Sequence, residues 1–139
     1  MNWLTWALLS ALFAGLTAIL AKIGVTGIDS NLATAIRTTV VLAFAWGVTL
    51  TTTPLVALTE LSRRTWLFLT LSGLATGLSW LCYFHALQLG PASKVAPIDK
   101  LSVVFVLVFS ATFLGEPLTW KTMVGGSLIA GGATLLALK

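Results

Sequence analysis

Four charged side chains stand inside long apolar runs of this 139-residue sequence: Lys22, Arg37, Asp99 and Lys100. Three are cations and one is a carboxylate, so pairing among themselves leaves positive charge uncompensated. Such a set suits two kinds of chemistry. The cations are equipped to hold an anionic or zwitterionic ligand, and Asp99 is equipped to take up and release a proton. The competing interpretation is that the charges only pair with one another or extend to the headgroups, as Lys22 and Lys94 are long enough to do. Around Asp99, the residues three and four positions away (Val95, Ala96, Ser102 and Val103) carry no charge. Its partner is therefore expected on another helix, with Lys22 or Arg37 as the candidates.

A second group is polar without being charged. Ser72, Thr76, Ser79 and Tyr83 recur at spacings of four, three and four, which lays them along one helical face beside Trp80 and Phe84. The stripe is a candidate lining for a water-accessible path with an aromatic wall. Equally open is that its hydroxyls bond back to their own helix carbonyls. His85 is expected at a membrane interface, and the single Cys82 as a small buried hydrophobe that forms no intramolecular disulfide. Enzymatic chemistry finds no support: there is one His, no paired carboxylates, no metal-ligand cluster, and no Ser or Cys beside a plausible base. No catalytic residue, metal site or cofactor is assigned.

The elements that hold these residues follow from composition. The chain is 58% hydrophobic and 9% charged, against about a quarter charged in an ordinary soluble domain. Too little polar surface exists to cover a water-soluble core. Helices of about 20 residues cross a bilayer core, and the uncharged runs predict five: residues 3–25, 32–50, 66–89, 91–114 and 120–138. The fold class is an all-α integral membrane protein with residues 1–139 as one domain. No Lys or Arg precedes the first run, which marks a retained span rather than a signal peptide. The net charge of +4 is too small and dispersed for nucleic acid.

Short connections order the spans. Gly27 with Ser30 or Asn31 offers a stop and a cap, Gly90-Pro91 a tight turn with Pro at the first helical position, and Gly115 to Thr119 an end and a new start. The longest loop is residues 51–65. Trp3, Trp6, Trp66 and Trp120 fall near span ends, where indole rings favour the interface. Pro97 is expected to bend or loosen the fourth span just before Asp99. Close packing is expected at Gly73 and Gly77 in the third span, and at Gly126 and Ala130 in the fifth. Counting crossings places Lys22, Arg37, His85, Asp99 and Lys100 in the same half of the bilayer. Lys22 continues the face of Ala11, Gly15 and Ala18 and should point into the bundle.

Four segments together resemble the EamA domain of the drug/metabolite transporter superfamily: Ala35-Ile36-Arg37, Leu87 to Ser93, Phe113 to Thr119, and Gly125 to Leu138. The resemblance covers essentially the whole chain. It implies half of an inverted-repeat secondary transporter, with a central cavity built from spans one to four and the fifth span at the periphery. Most such proteins are similar to two of these domains fused, whereas this chain looks like one domain standing alone, as in short bacterial and archaeal members. A multi-pass protein of a prokaryotic cytoplasmic membrane is the localisation this implies. One departure concerns the fourth span, where family members often carry Pro after a Leu-Ser pair. Here Leu101-Ser102 is followed by Val103, and no substrate is carried over.

Orientation is finely balanced. The N-terminal side holds Arg63, Arg64 and Lys121, and the other side Lys94 and Lys139, or additionally Lys22, Arg37 and Lys100 if intramembrane cations are counted. A chain so nearly balanced is expected to insert both ways, and two copies in opposite orientation recreate an inverted repeat. The leading expectation is a carrier of small polar or charged metabolites acting as an antiparallel homodimer, with Lys22, Arg37, Ser79, Trp80, Tyr83, Asp99 and Lys100 at the substrate or proton. The alternatives are a non-transporting membrane subunit or scaffold, and one half of a heterodimeric transporter.

Overall fold

The computed structural model describes residues 2–138; Lys139, counted in the charge balance above, lies outside the described residues. Among those residues the chain is helical, without a strand. Its α-helices are α1 (Trp3–Gly24), α2 (Ser30–Thr52), α3 (Arg63–Leu89), α4 (Ala92–Asp99), α5 (Ser102–Phe109) and α6 (Trp120–Ala137). A 3-10 turn at Leu55–Leu58 lies in the long loop, and a π-helical turn at Ser110–Leu114 closes α5. Four helical segments are long and apolar enough to cross a membrane: Trp3–Gly24, Ser30–Thr52, Arg63–Leu89 and Ala92–Leu114. Although 18 residues long, α6 is not among them. Lys121 and the pairs Gly125-Gly126 and Gly131-Gly132 lower its hydropathy.

Local chemistry explains the boundaries. The cap of α2 is Asp29, not Ser30 or Asn31; its Oδ1 accepts from the backbone N–H of Asn31 at 2.9 Å and of Leu32 at 3.1 Å. A carboxylate answers the partial positive charge of a helix start better than a hydroxyl or an amide. Pro91 is the residue before α4, with φ −70° and ψ 142°, not its first helical residue. Gly27 and Gly115 turn through positive φ, 81° and 68°, a conformation glycine adopts without strain. Thr119 caps α6 by accepting from Thr122 N–H at 3.2 Å. Basic residues Arg63 and Arg64 open α3 three residues before the expected start, because the hydroxyl of Ser62 accepts from Thr65 N–H at 3.1 Å and caps the helix there.

The chain divides into two compact units, one of Met1–Lys22 with Leu89–Lys139, the other of Ile23–Gln88. In the first, α6 packs along α4 and α5. A methyl added at Gly126 would stand 2.7 Å from Leu107 Cδ1, so the tip of the leucine side chain occupies the space the glycine leaves and would have to turn away from a larger residue. Lys94 of α4 reaches the other end of α6, where Nζ donates to the carbonyls of Ala137 at 3.4 Å and Leu138 at 3.0 Å. In the second unit Gln88 Nε2 donates to the carbonyls of Val25 and Ile28, which ties the turn before α2 to the end of α3. Val25 and Leu87 are its fully buried large side chains.

Elsewhere the apolar side chains point outward. Trp3 is 80% exposed and Phe44 73%. No water-soluble fold leaves so much hydrocarbon uncovered, so lipid or another protein surface must supply the cover.

Candidate functional site

In the second unit the site is built on α2 and α3. Arg37 stands seven residues into α2, about 10 Å along the axis. Its guanidinium carbon lies 4.2 Å from the ring centroid of Trp80 and 5.6 Å from that of Phe84. A flat cation laid on an indole is a favourable contact that also shields the charge from hydrocarbon. Tyr83 lies within electrostatic reach of the same group, and its ring meets Phe84 edge-on at 6.4 Å. The structure thus brings Arg37 of α2 onto Trp80 of α3, with Tyr83 near, a grouping the sequence did not single out; the pairing of Arg37 with Asp99 that was considered is not made.

The polar stripe divides. Thr76 Oγ1 donates to the Ser72 carbonyl at 2.9 Å, satisfied within its own helix. Ser79 is exposed on α3. On another face, an open groove of about 310 Å³ runs between α2 and α3, lined by Asn31, Thr34, Thr38, Leu42, Gly77 and Leu81. Thr34 and Thr38 donate back to Ser30 and Thr34 carbonyls, so the groove presents mainly methyl groups. Sequence reasoning did not find it; the small residues Ala35 and Gly77 were its only trace. Around Gly73 and Gly77 themselves a Cβ would meet nothing within 4 Å, so the close packing expected there is not made within the chain's described residues. The backbone at these two positions lacks a helix pressed against it.

In the first unit the fourth span is broken. Between α4 and α5 the backbone bonds shorten to three-residue steps: Lys100 N–H to Pro97 O at 3.1 Å, Leu101 N–H to Ile98 O at 2.9 Å, and Val103 N–H to Lys100 O at 3.0 Å. Pro97, inside α4, removes one helical donor and crowds the carbonyl four residues back. At the break Lys100 Nζ lies 3.2 Å from Asp99 Oδ2. The ion pair joins chain neighbours and not the separate helices expected. The side chains stay 57% and 36% exposed.

Lys22 also differs from expectation. It is half-buried, as a bundle-facing residue should be, but its Nζ donates to the Gly90 carbonyl at 2.9 Å. That carbonyl precedes Pro91, where the third helix has ended, and Lys22 supplies a donor the helix cannot. Cys82 is exposed on α3, contrary to the buried position expected. His85 is likewise exposed. Among the described residues no group of three His, Cys, Asp or Glu side chains converges to hold a metal ion.

Long apolar helices, outward hydrocarbon and a few charges at span depth define a multi-pass integral membrane protein. The chain belongs to the EamA-like transporter family, whose model matches residues 1–138. It is 54% identical over 136 residues to a protein of Sinorhizobium sp described as an uncharacterized transporter in the cobO 3' region, covering 98% of this chain and 96% of that one. No solved structure matches. Family and relative together support a transporter role.

Proposed function

We propose that the protein is a secondary carrier of small polar or charged metabolites, working as a dimer of half-transporters with the two copies antiparallel. The observation that carries this reading is the interruption of the fourth span at Asp99 and Lys100. Irregular backbone at membrane depth persists only where it is buried in protein or lines a water-filled cavity. In the single chain the pair at the break is open, and a charged side chain facing hydrocarbon costs about 2.5 to 3.5 kcal/mol at the helix centre. A hydrated cavity between two copies relieves that cost. Discontinuous helices whose loose ends meet the substrate or coupling ion are a common carrier design.

Solvent access tests this. In a Cys82→Ala background, single cysteines at Ser79 and Asp99 should react with a membrane-impermeant thiol reagent, while a cysteine at Leu78, an exposed apolar position, should not. Protection of all three would replace the carrier with a dry, packed subunit.

A further inference from the structure

We infer that Arg37 is an oxyanion-binding residue: its N–H edge takes two oxygens of a carboxylate or phosphate, with Ser79 and Tyr83, the chain neighbours of Trp80 and Phe84, as further polar residues on the same stretch of α3. The inference rests on the carrier reading and names its substrate class. A guanidinium offers five N–H donors in a planar fork. In this chain its flat face is engaged by Trp80 and Phe84, and stacking of that kind leaves the donor edge open. Among the described residues no hydrogen bond or ion pair reaches those donors: the ion pair present is Asp99 with Lys100. Asp29, the acidic residue nearest in the sequence, is taken up by the backbone at the start of α2.

Such an arrangement resembles a prepared half of a bidentate contact. The indole fixes the plane of the fork, which lowers the entropy lost when two parallel N–H to oxygen bonds form. Ser79 lies one turn before Tyr83 on α3, and its hydroxyl makes no hydrogen bond among the described residues. Thr76, by contrast, is satisfied by Ser72. An ionisable side chain held at this depth without a counter-ion is a functional site by default in a membrane protein. The ligand is an oxyanion, carried by a soluble metabolite or by an anionic lipid headgroup.

Binding separates the sources. The intact protein is placed in nanodiscs of phosphatidylcholine, with or without phosphatidylglycerol, and titrated with succinate and with inorganic phosphate at constant ionic strength. Tryptophan fluorescence and Tm are read together. Saturable binding in phosphatidylcholine that weakens about tenfold or more in Arg37→Gln supports a soluble oxyanion. An Arg37-dependent rise in Tm with phosphatidylglycerol alone supports the headgroup. Equal responses of wild type and Arg37→Gln to both probes and both lipids overturn the inference. Should Arg37→Gln not fold, Arg37→Lys keeps the charge and loses the fork, and succinate binding as tight as wild type then overturns it. Exchange of only neutral or cationic metabolites by proteoliposomes removes the role of Arg37 and leaves the carrier. Oxyanion binding without any exchange removes the carrier and leaves the site.

Discussion

Lys22 Nζ and the carbonyl of Gly90, 68 residues apart in sequence, are joined by a 2.9 Å hydrogen bond. The contact gives an intramembrane cation a structural role, since it fastens the end of α1 to the turn that follows α3. Replacing Lys22 with Ala leaves that carbonyl without its charged donor. Stability should fall by about 1.5 to 3 kcal/mol, read as equilibrium unfolding in mixed micelles, with Arg recovering part of it. Affinity for a transported ligand should not change, which separates Lys22 from Arg37.

Pro97 is the second point of test. Pro97→Ala restores a helical N–H and removes the ring that crowds the preceding turn, a change worth up to about 3 kcal/mol in a helix interior. The variant should be more stable to heat and slower in transport, since the break at Asp99 and Lys100 would tend to close. Higher Tm with full transport would show that the interruption plays no part in the cycle.

Glycines on two helices should behave oppositely. Gly126→Ile drives a branched side chain into Leu107, and overpacking of that kind costs about 1 to 3 kcal/mol. At Gly73 the space is open, so Gly73→Ala should leave the monomer unharmed or stabilise it by about 1 kcal/mol through helix propensity. If a second copy covers that face, Gly73→Leu and Gly77→Leu should abolish dimer cross-linking while each monomer stays folded.

Antiparallel assembly requires both orientations in one membrane. C-terminal fusions to a cytoplasmic fluorescent reporter and to an externally active phosphatase should both give signal from the same gene. Signal from one alone would rule out the dual-orientation dimer and direct attention to a different partner half.

Much of this architecture was legible in advance, because lipid imposes few rules and this chain obeys them openly. Uncharged runs of about 20 residues marked the spans, and Gly27, Gly115 and Thr119 marked the turns they make. The pairing of charges was not legible. Lys22 with Gly90 and Lys94 with the end of α6 are contacts from side chain to distant carbonyl, and no spacing rule encodes them. Asp99 was expected to look across helices; Pro97 signalled a bend, yet nothing signalled that Lys100 would pair with its own neighbour. The fifth predicted span shows the limit in the other direction, since its glycines suit packing against α4 and α5 at the expense of hydropathy. Arg37 and Trp80 were each picked out as site residues, on separate helices, but nothing in their spacing said that they would meet.

The most direct measurement is counterflow. Proteoliposomes loaded with a defined mixture of small carboxylates, phosphates, amino acids and sugars are diluted into labelled counterparts, and the exchanged species are identified by mass spectrometry. The carrier described here predicts protein-dependent exchange of one narrow class, strongly reduced by Asp99→Asn, with Lys22→Ala exchanging like wild type once corrected for folded protein. Exchange that Asp99→Asn leaves untouched, or no exchange at all from correctly folded protein, would contradict it.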